Sequence, residues 1–227
     1  MTRQQDKDIR DATPSQVLRW AAAEVPAGRL VLSTAFGAGG ILLIHLLHTN
    51  GLRVPVIFID TLHHFPETLA LAERVRERYD LDLRTVRPVA ELETFQRRHG
   101  NRLWERDVKR FHEVTKLEPM ERALAGFDGW ITARRRDQSE SRAHLPVLEH
   151  SNVEKGWRVK INPLAGWSRT QVWDFVRAHH LPYNPLHDQG YPSIGDWPLT
   201  TPVVPGEAER AGRWRGSERT ECGLHGL

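Results

Sequence analysis

One thiol and two groups of arginines are the residues of this 227-residue chain best suited to chemistry. Cys222 is the only cysteine, so it cannot close a disulfide within the chain or supply a four-thiolate metal site by itself. A free cysteine is often a small apolar residue, whereas a thiolate is a nucleophile. Arg219 and a protonated His225 favour the thiolate and Glu221 opposes it, so local composition leaves both interpretations open.

The first group of arginines suits a small oxyanion. Arg134, Arg135 and Arg136 are followed by Gln138 and Arg142, directly after a short apolar segment. Guanidinium groups match the oxygens of phosphate and sulfate. Such a charge run is commonly a solvated surface, but its place at the carboxyl end of a predicted strand favours oxyanion binding.

A second pair of arginines lies near Cys222. Arg210 and Arg213 are three residues apart, so a local helical turn would align them on one face. The alternative is a pair of surface arginines balanced by Glu207, Glu209 and Glu218.

The segment 33–40, Ser-Thr-Ala-Phe-Gly-Ala-Gly-Gly, links a predicted strand to a predicted helix. Its hydroxyls and glycines can present backbone N–H groups to an anion, with a helix dipole behind them. It is neither a P-loop, which ends in Gly-Lys-Ser/Thr, nor a Gly-x-Gly-x-x-Gly motif. We interpret it as a phosphate-binding loop, the alternative being an ordinary turn.

A further loop, 60–67, contains Asp60, Thr61 and two adjacent histidines, His63 and His64. Adjacent histidines point in different directions, and no third ligand has suitable spacing, so we expect no metal here. The better interpretation is a nucleoside-binding loop followed by a helix that starts at Pro66.

Short apolar segments alternate with helical ones, which predicts strands buried on both faces and helices between them. The predicted strands are Leu30–Leu32, Val54–Ile59, Leu83–Val86, Trp130–Thr132 and Trp157–Ile161. The predicted helices are 14–24, 41–48, 66–79, 92–99, 107–124 and 168–179. Capping boxes begin the first and last helices, and Pro119 should break or kink the fifth.

This order predicts an α/β fold with a doubly wound parallel sheet, in which ligands bind past the carboxyl ends of the strands. We expect residues 1–180 to form the nucleotide-binding part. Residues 181–227 show no periodicity, and we expect an irregular, functional C-terminal tail that closes over the substrate within the same domain.

Composition limits the classes of protein. A net charge of +3 from 32 basic and 29 acidic residues is a weak argument for nucleic acid binding. No apolar run is long enough for a membrane span, and the polar first residues are unlike a signal peptide. One cysteine fits a reducing compartment, so we expect a cytoplasmic protein.

Several segments in this order resemble the phosphoadenylyl-sulfate (PAPS) reductases, within the wider family that includes adenylyl-sulfate reductases. The resemblance covers about residues 30–225. The matching segments are Thr34–Gly37, Ile57–Pro66, Lys116–Pro119, Arg135–Ser139, Tyr191–Asp196 and Glu221–His225.

The resemblance implies an adenine-nucleotide alpha-hydrolase-like fold and a nucleophilic Cys222 that takes the sulfo group as Cys–S–SO₃⁻. Thioredoxin or glutaredoxin would then release sulfite, and the protein would be a homodimer. Lys116, Arg210 and Arg213 would bind the phosphosulfate. The whole implied substrate-binding set is Ser33, Thr34, Ala35, Phe36, Gly37, Asp60, Thr61, Lys116, Arg135, Arg136, Gln138, Arg210, Arg213 and His225.

The electron count agrees with this implication. Reduction of sulfate to sulfite takes two electrons, and one thiol cannot supply both and end as an internal disulfide. Many adenylyl-sulfate reductases hold a [4Fe–4S] cluster on four cysteines. Motif alignment places Phe111, His112, Asp196 and Leu199 at those positions, so we expect no cluster and PAPS as the substrate.

Three alternatives remain open at this point. A cluster-free enzyme acting on adenylyl sulfate is conceivable, because the link between cluster and substrate is associational. An ATP-pyrophosphatase-type adenylyl transferase would share the fold, but residues 35–38 lack the acid of its usual loop. A non-catalytic nucleotide-binding protein would have no need of Cys222.

Overall fold

The computed structural model describes residues 9–89, 92–151, 158–215, 221, 223 and 224. Within them, six strands form one sheet in the order β3-β2-β1-β4-β6-β5. Neighbouring strands are parallel except β5 and β6, which are antiparallel. The strands are β1 Leu30–Ser33, β2 Val56–Ile59, β3 Leu83–Val86, β4 Gly129–Ile131, β5 Leu148–His150 and β6 Val159–Ile161.

Eight α-helices are described, which precede, connect or follow the strands. They are α1 Pro14–Glu24, α2 Ala38–Thr49, α3 Pro66–Tyr79, α4 Leu92–His99, α5 Leu103–Arg106, α6 Val108–His112, α7 Glu118–Leu124 and α8 Arg169–Ala178. Capping boxes begin α1 at Thr13 with Gln16 and α8 at Ser168 with Gln171, as the sequence predicts.

Both faces of the sheet are covered. Val31 and Trp130 point into a cluster with Met120 and Leu124 of α7. The alternate strand residues, such as Leu32, belong to a larger cluster formed with α1, α2, α3 and α8. Strands β1, β2 and β4 are almost wholly apolar because each face packs against helices.

The predicted doubly wound α/β architecture is confirmed, with local differences. The antiparallel edge strand β5 was not predicted, because its three residues carry too short a pattern. Helix α2 begins at Ala38 instead of Ile41 and includes Gly39 and Gly40, which are buried. Strand β2 begins at Val56, two residues later than predicted. The strand predicted from Trp157 is β6, which begins at Val159; Trp157 lies outside the described residues.

The predicted helix 107–124 does not end at Pro119 but contains a π-helical turn just before it. Between α6 and α7 the backbone forms a π-helix, Glu113–Leu117, and Pro119 then occupies the first turn of α7. Proline is tolerated there because first-turn N–H groups have no partner within the helix. The π-helical turn carries Lys116, which is buried.

The described residues after α8 contain neither an α-helix nor a β-strand. They include the 3₁₀ turns Pro185–Gln189 and Trp197–Leu199, and isolated bridges join His64 to Asp196 and Thr200 to Arg213. Among the described residues, no helix has both the length and the apolar character needed to cross a membrane.

Gly40 fixes the approach of α2 to the loop that precedes it. A Cβ atom at this position would overlap Thr34 Oγ1, which accepts a hydrogen bond from Phe36 N at 2.9 Å. We expect Gly40→Ala to lower the free energy of unfolding by about 1–3 kcal/mol, measured by urea denaturation. The control Gly166→Ala meets only Arg136 Nη1 at an ordinary 3.5 Å. Equal stability of the two variants would contradict this close packing.

Candidate active site

A cavity opens at the carboxyl ends of β1, β2 and β4, the edge at which parallel sheets bind ligands. Its walls come from the loop 33–40, the loop after β4, helix α8 and the C-terminal segment. Glu221 and Leu224, which precede and follow Cys222 in the sequence, also line it.

The loop after β1 presents the N-terminus of α2 to the cavity. Ser33 is buried, and its Oγ accepts a hydrogen bond from Trp130 Nε1 at 2.6 Å. Phe36 has a positive φ of 57° and packs edge-on against Phe58. Gly37 is the N-cap of the 12-residue helix and has no side chain to cap it. First-turn N–H groups without a side-chain cap suit an anionic ligand.

Positive charge dominates the cavity wall. Seven cationic side chains line it, together with two carboxylates, Glu209 and Glu221, among the described residues. The cations are Lys116, Arg134, Arg135, Arg142, Arg169, Arg210 and Arg213. This excess suits a ligand with more than one negative group.

Arg142 and Glu221 form a bidentate ion pair inside this wall. Arg142 Nε and Nη2 donate to Glu221 Oε1 and Oε2, both at 2.7 Å, and Arg210 Nη2 donates to Oε2 at 3.2 Å. Burial raises the pKa of Glu221, but Arg142 and Arg210 outweigh it and hold the pKa below its ordinary value. The carboxylate is therefore ionised at neutral pH and fastens residue 221 to the loop after β4.

Arg135 is held by two carboxylates. Its Nε donates to Asp137 Oδ1 at 2.8 Å and its Nη2 to Glu209 Oε2 at 2.9 Å. Burial raises the pKa of Glu209, and the nearby Arg135 and Arg169 oppose that rise only in part. The guanidinium of Arg135 is thus buried and paired on two sides, with its side chain 5% exposed.

Arg210 and Arg213 share the indole ring of Trp214. Their guanidinium carbons lie 5.3 Å and 4.5 Å from its centroid, distances typical of cation–π contacts. Arg213 also donates to Ser193 Oγ at 3.4 Å and to the Ile194 carbonyl at 3.3 Å. A single turn brings the two arginines together, since Arg213 N donates to the Arg210 carbonyl at 2.9 Å.

Lys116 reaches the cavity from the π-helical turn. Its Nζ lies 2.5 Å from Oδ2 of Asp196, whose Oδ1 accepts from Thr61 Oγ1 at 2.8 Å. Burial raises the pKa of Asp196, but Lys116 and the hydrogen bond from Thr61 hold it well below its ordinary value. The lysine and the aspartate therefore form a buried ion pair at the cavity wall.

Most of the predicted substrate-binding residues meet at this cavity. Those that line it are Ser33, Thr34, Ala35, Phe36, Gly37, Thr61, Lys116, Arg135, Gln138, Arg210 and Arg213. Cys222 and His225 lie outside the described residues, as does Arg219.

Two predicted residues do not line the cavity. Asp60 accepts from the backbone N–H of Leu62 at 3.0 Å and from Arg87 Nε at 2.8 Å, so its carboxylate stabilises the turn after β2. Arg136 donates its Nε to the Leu145 carbonyl at 2.8 Å. Their part in ligand binding stays a prediction, and their contacts in the structure are internal.

Asp196, Glu209 and Trp214 each fix a cationic side chain of the cavity, and these contacts were not predicted from the sequence. The available signal was their position: Asp196 ends a matching segment, Glu209 precedes Arg210, and Trp214 follows Arg213. Their burial and pairing depend on contacts between distant parts of the chain, which local sequence does not reveal.

The two adjacent histidines are engaged with the backbone. His63 Nδ1 lies 2.8 Å from the Thr61 carbonyl, and His64 Nε2 lies 2.9 Å from the Ile59 carbonyl. The part of the chain that the structure describes contains no group of three or more metal-ligating side chains.

Comparison with known sequences identifies a family. The model of the phosphoadenosine phosphosulfate reductase domain matches residues 29–202. A probable phosphoadenosine phosphosulfate reductase of Schizosaccharomyces pombe is 40% identical over 97% of this chain and 82% of its own length. An adenosine 5'-phosphosulfate reductase of Halalkalibacterium halodurans is 42% identical over 92% of this chain and 90% of its own.

Solved structures give the same result for the fold. The chain is similar to a phosphoadenylyl-sulfate reductase from Candida auris, crystallised as a phosphate complex. The TM-score is 0.77 with 36% identity, over 88% of this chain and 98% of that one. An FMN adenylyltransferase of Candida glabrata, with a TM-score of 0.62 and 17% identity, over 96% of this chain and 75% of that one, shares the fold alone.

The Arg142–Glu221 pair predicts how firmly the C-terminal segment is held. Glu221→Gln removes a charge-assisted bidentate contact, so local opening should become about 10-fold more frequent. We expect trypsin to shorten the chain at its C-terminal end about 10-fold faster, as followed by mass spectrometry.

Glu73→Gln is the matched control, because Glu73 forms an exposed ion pair with Arg76 on α3, away from the cavity. Cleavage of that variant should match the parental rate. If Glu221→Gln also cleaved at the parental rate, the ion pair would not be what fastens the segment.

Proposed function

Because the chain belongs to the phosphoadenosine phosphosulfate reductase family, we propose that it reduces 3'-phosphoadenylyl sulfate to sulfite and adenosine 3',5'-bisphosphate. Family membership makes it an oxidoreductase of sulfate assimilation. Its relatives include proteins named as reductases of either the phosphorylated or the unphosphorylated nucleotide. The choice between these substrates and the reaction path below are our proposals.

The first step is transfer of the sulfo group to sulfur. The Cys222 thiolate attacks the sulfuryl sulfur, an S–S bond forms, and the bond from that sulfur to the bridging phosphate oxygen breaks. The oxygen leaves with its electron pair as adenosine 3',5'-bisphosphate. The enzyme is left with Cys–S–SO₃⁻.

The second step supplies the electrons. A thiolate of thioredoxin or glutaredoxin attacks the Cys222 sulfur, and sulfite leaves with the electron pair of the S–S bond. The second thiol of the reductant then resolves the mixed disulfide. The dithiol is oxidised by two electrons, and Cys222 returns to the thiol.

One observation carries this proposal: Glu221 and Leu224, which lie one residue before and two residues after Cys222 in the sequence, line the same cavity as Lys116, Arg210 and Arg213. Lys116 and the two arginines supply positive charge for the phosphate oxygens that become more negative as the sulfo group leaves. The N-terminus of α2 and Arg135 would hold the nucleotide.

Two features support the phosphorylated nucleotide as substrate. The cationic side chains of the wall outnumber its carboxylates by seven to two among the described residues, and the extra 3'-phosphate adds charge for them to bind. The four positions that align with cluster cysteines also do not fit an iron–sulfur cluster. Phe111 and Leu199 pack in one apolar cluster, and His112 lies 4.0 Å from Asp196.

We also propose that residues 181–227 close over the bound nucleotide and that the enzyme is a cytoplasmic homodimer. The first proposal is supported by the contribution of Arg210, Arg213 and Glu221 to the cavity wall. Compartment and dimerisation are supported by cysteine usage and by family resemblance alone.

Mass spectrometry tests the first step. Incubation with PAPS and no reductant should add one SO₃ group to the peptide that contains Cys222. Cys222→Ser should stay unlabelled and release sulfite at least about 1,000-fold more slowly, because the nucleophile is lost. Sulfite release at the parental rate by a folded Cys222→Ser protein would contradict the mechanism.

The choice of nucleotide is tested by kinetics with thioredoxin in excess. We expect kcat/KM for PAPS to exceed that for adenylyl sulfate by at least about 100-fold, because cations placed for the 3'-phosphate are left unpaired without it. A ratio near one or below would favour the unphosphorylated substrate. Pyrophosphate release from ATP without sulfite formation would instead favour an adenylyl transferase.

A further inference from the structure

Asp196 is an acidic side chain at the edge of a site built for anions. It has no solvent exposure, and its Oδ2 lies 2.5 Å from Lys116 Nζ. Lys116 lines the cavity, whereas Asp196 lies behind it. A buried carboxylate so close to an anion site would weaken anion binding by repulsion unless it does something that offsets that cost.

The neighbouring histidines do not balance this charge. Trp214 Nε1 donates to His112 Nε2 at 3.3 Å, and because an indole N–H only donates, that nitrogen carries no proton. His64 Nε2 donates to the Ile59 carbonyl, and burial lowers its pKa, so the ring is neutral. Lys116 is therefore the cation that pairs with Asp196.

The carboxylate is itself held from several sides. Thr61 Oγ1 donates to Asp196 Oδ1 at 2.8 Å, Asp196 forms a backbone bridge with His64, and Trp197 N donates to the His63 carbonyl at 2.8 Å. These contacts attach Asp196 to the loop after β2. A lysine side chain has four rotatable bonds, and a fixed anion restricts where its ammonium can lie.

We propose that Asp196 is a positioning residue that holds the Lys116 ammonium at the cavity wall, where it faces the phosphosulfate group during sulfo transfer. This inference rests on the proposed function. It predicts that removal of the negative charge of Asp196 slows sulfo transfer. Simple electrostatics predicts the opposite, because loss of a negative charge should improve an anion site.

A double-mutant cycle of Asp196→Asn and Lys116→Gln tests the proposal, with the single-turnover rate of sulfo transfer to Cys222 as the readout. Asp196→Asn should slow the transfer about 100-fold, because the ammonium is no longer fixed opposite the charge that develops. Lys116→Gln should slow it at least as much. The double variant should be no slower than Lys116→Gln, because both substitutions remove one function.

Asp128→Asn is the matched control. Asp128 is also a buried carboxylate, 7% exposed, and it pairs with Arg29. It directly precedes β4, at the amino end of that strand, whereas the cavity lies at the carboxyl ends. Loss of its charge should lower stability and leave the sulfo-transfer rate of the folded protein unchanged. Thr61→Val keeps the charge of Asp196 and removes one hydrogen bond to it, so sulfo transfer should slow about 3- to 10-fold. This variant tests the proposal even if Asp196→Asn does not fold.

Several outcomes would overturn the proposal. The first is faster sulfo transfer or tighter nucleotide binding in Asp196→Asn. The second is a double variant whose rate falls by the product of the two single losses. The third is an equal loss of rate in Asp128→Asn. Affinity for PAPS, measured in a Cys222→Ser background, provides a readout without turnover. If the wild-type protein makes no sulfite, the proposed function fails. The coupling of Asp196 and Lys116 can still be measured from the affinity for PAPS.

Discussion

Mutual repulsion among cations is the constraint on which this site depends. Seven basic side chains line one cavity, and without counter-charges they would spread away from each other. The structure pairs four of them with carboxylates from different parts of the chain. Glu149 pairs with Arg134, Glu209 with Arg135, Glu221 with Arg142, and Asp196 with Lys116. Each pair fixes one cation at one place, so the wall has a defined shape before any ligand binds.

The sheet makes this arrangement possible by supplying rigid attachment points. Strands β1, β2 and β4 are buried on both faces, and the loops that follow them start from fixed positions at one edge. Trp130 connects the core to the site directly, because its ring packs between strand and helix while its N–H binds Ser33. The hydrophobic core and the cavity wall are therefore connected through an individual side chain.

The sequence predicted the sheet domain well because its signals are local. The apolar strands and the capping boxes at Thr13 and Ser168 depend on neighbours within a few residues. The pairing of Glu221 with Arg142 spans 79 residues, and no local pattern encodes it. The local sequence around Asp196 is that of an ordinary loop and does not indicate burial. The complete burial of Asp196 is seen only in the folded structure.

The distance along the chain between Arg142 and Glu221 also orders events during synthesis. Residues that build the core of the sheet emerge from the ribosome well before residue 221, and contacts between distant residues form late because loop closure is slow. A nascent chain can thus form its hydrophobic core before Glu221 is available to pair with Arg142. The cavity wall is therefore completed after the sheet, since this ion pair joins residues 79 positions apart.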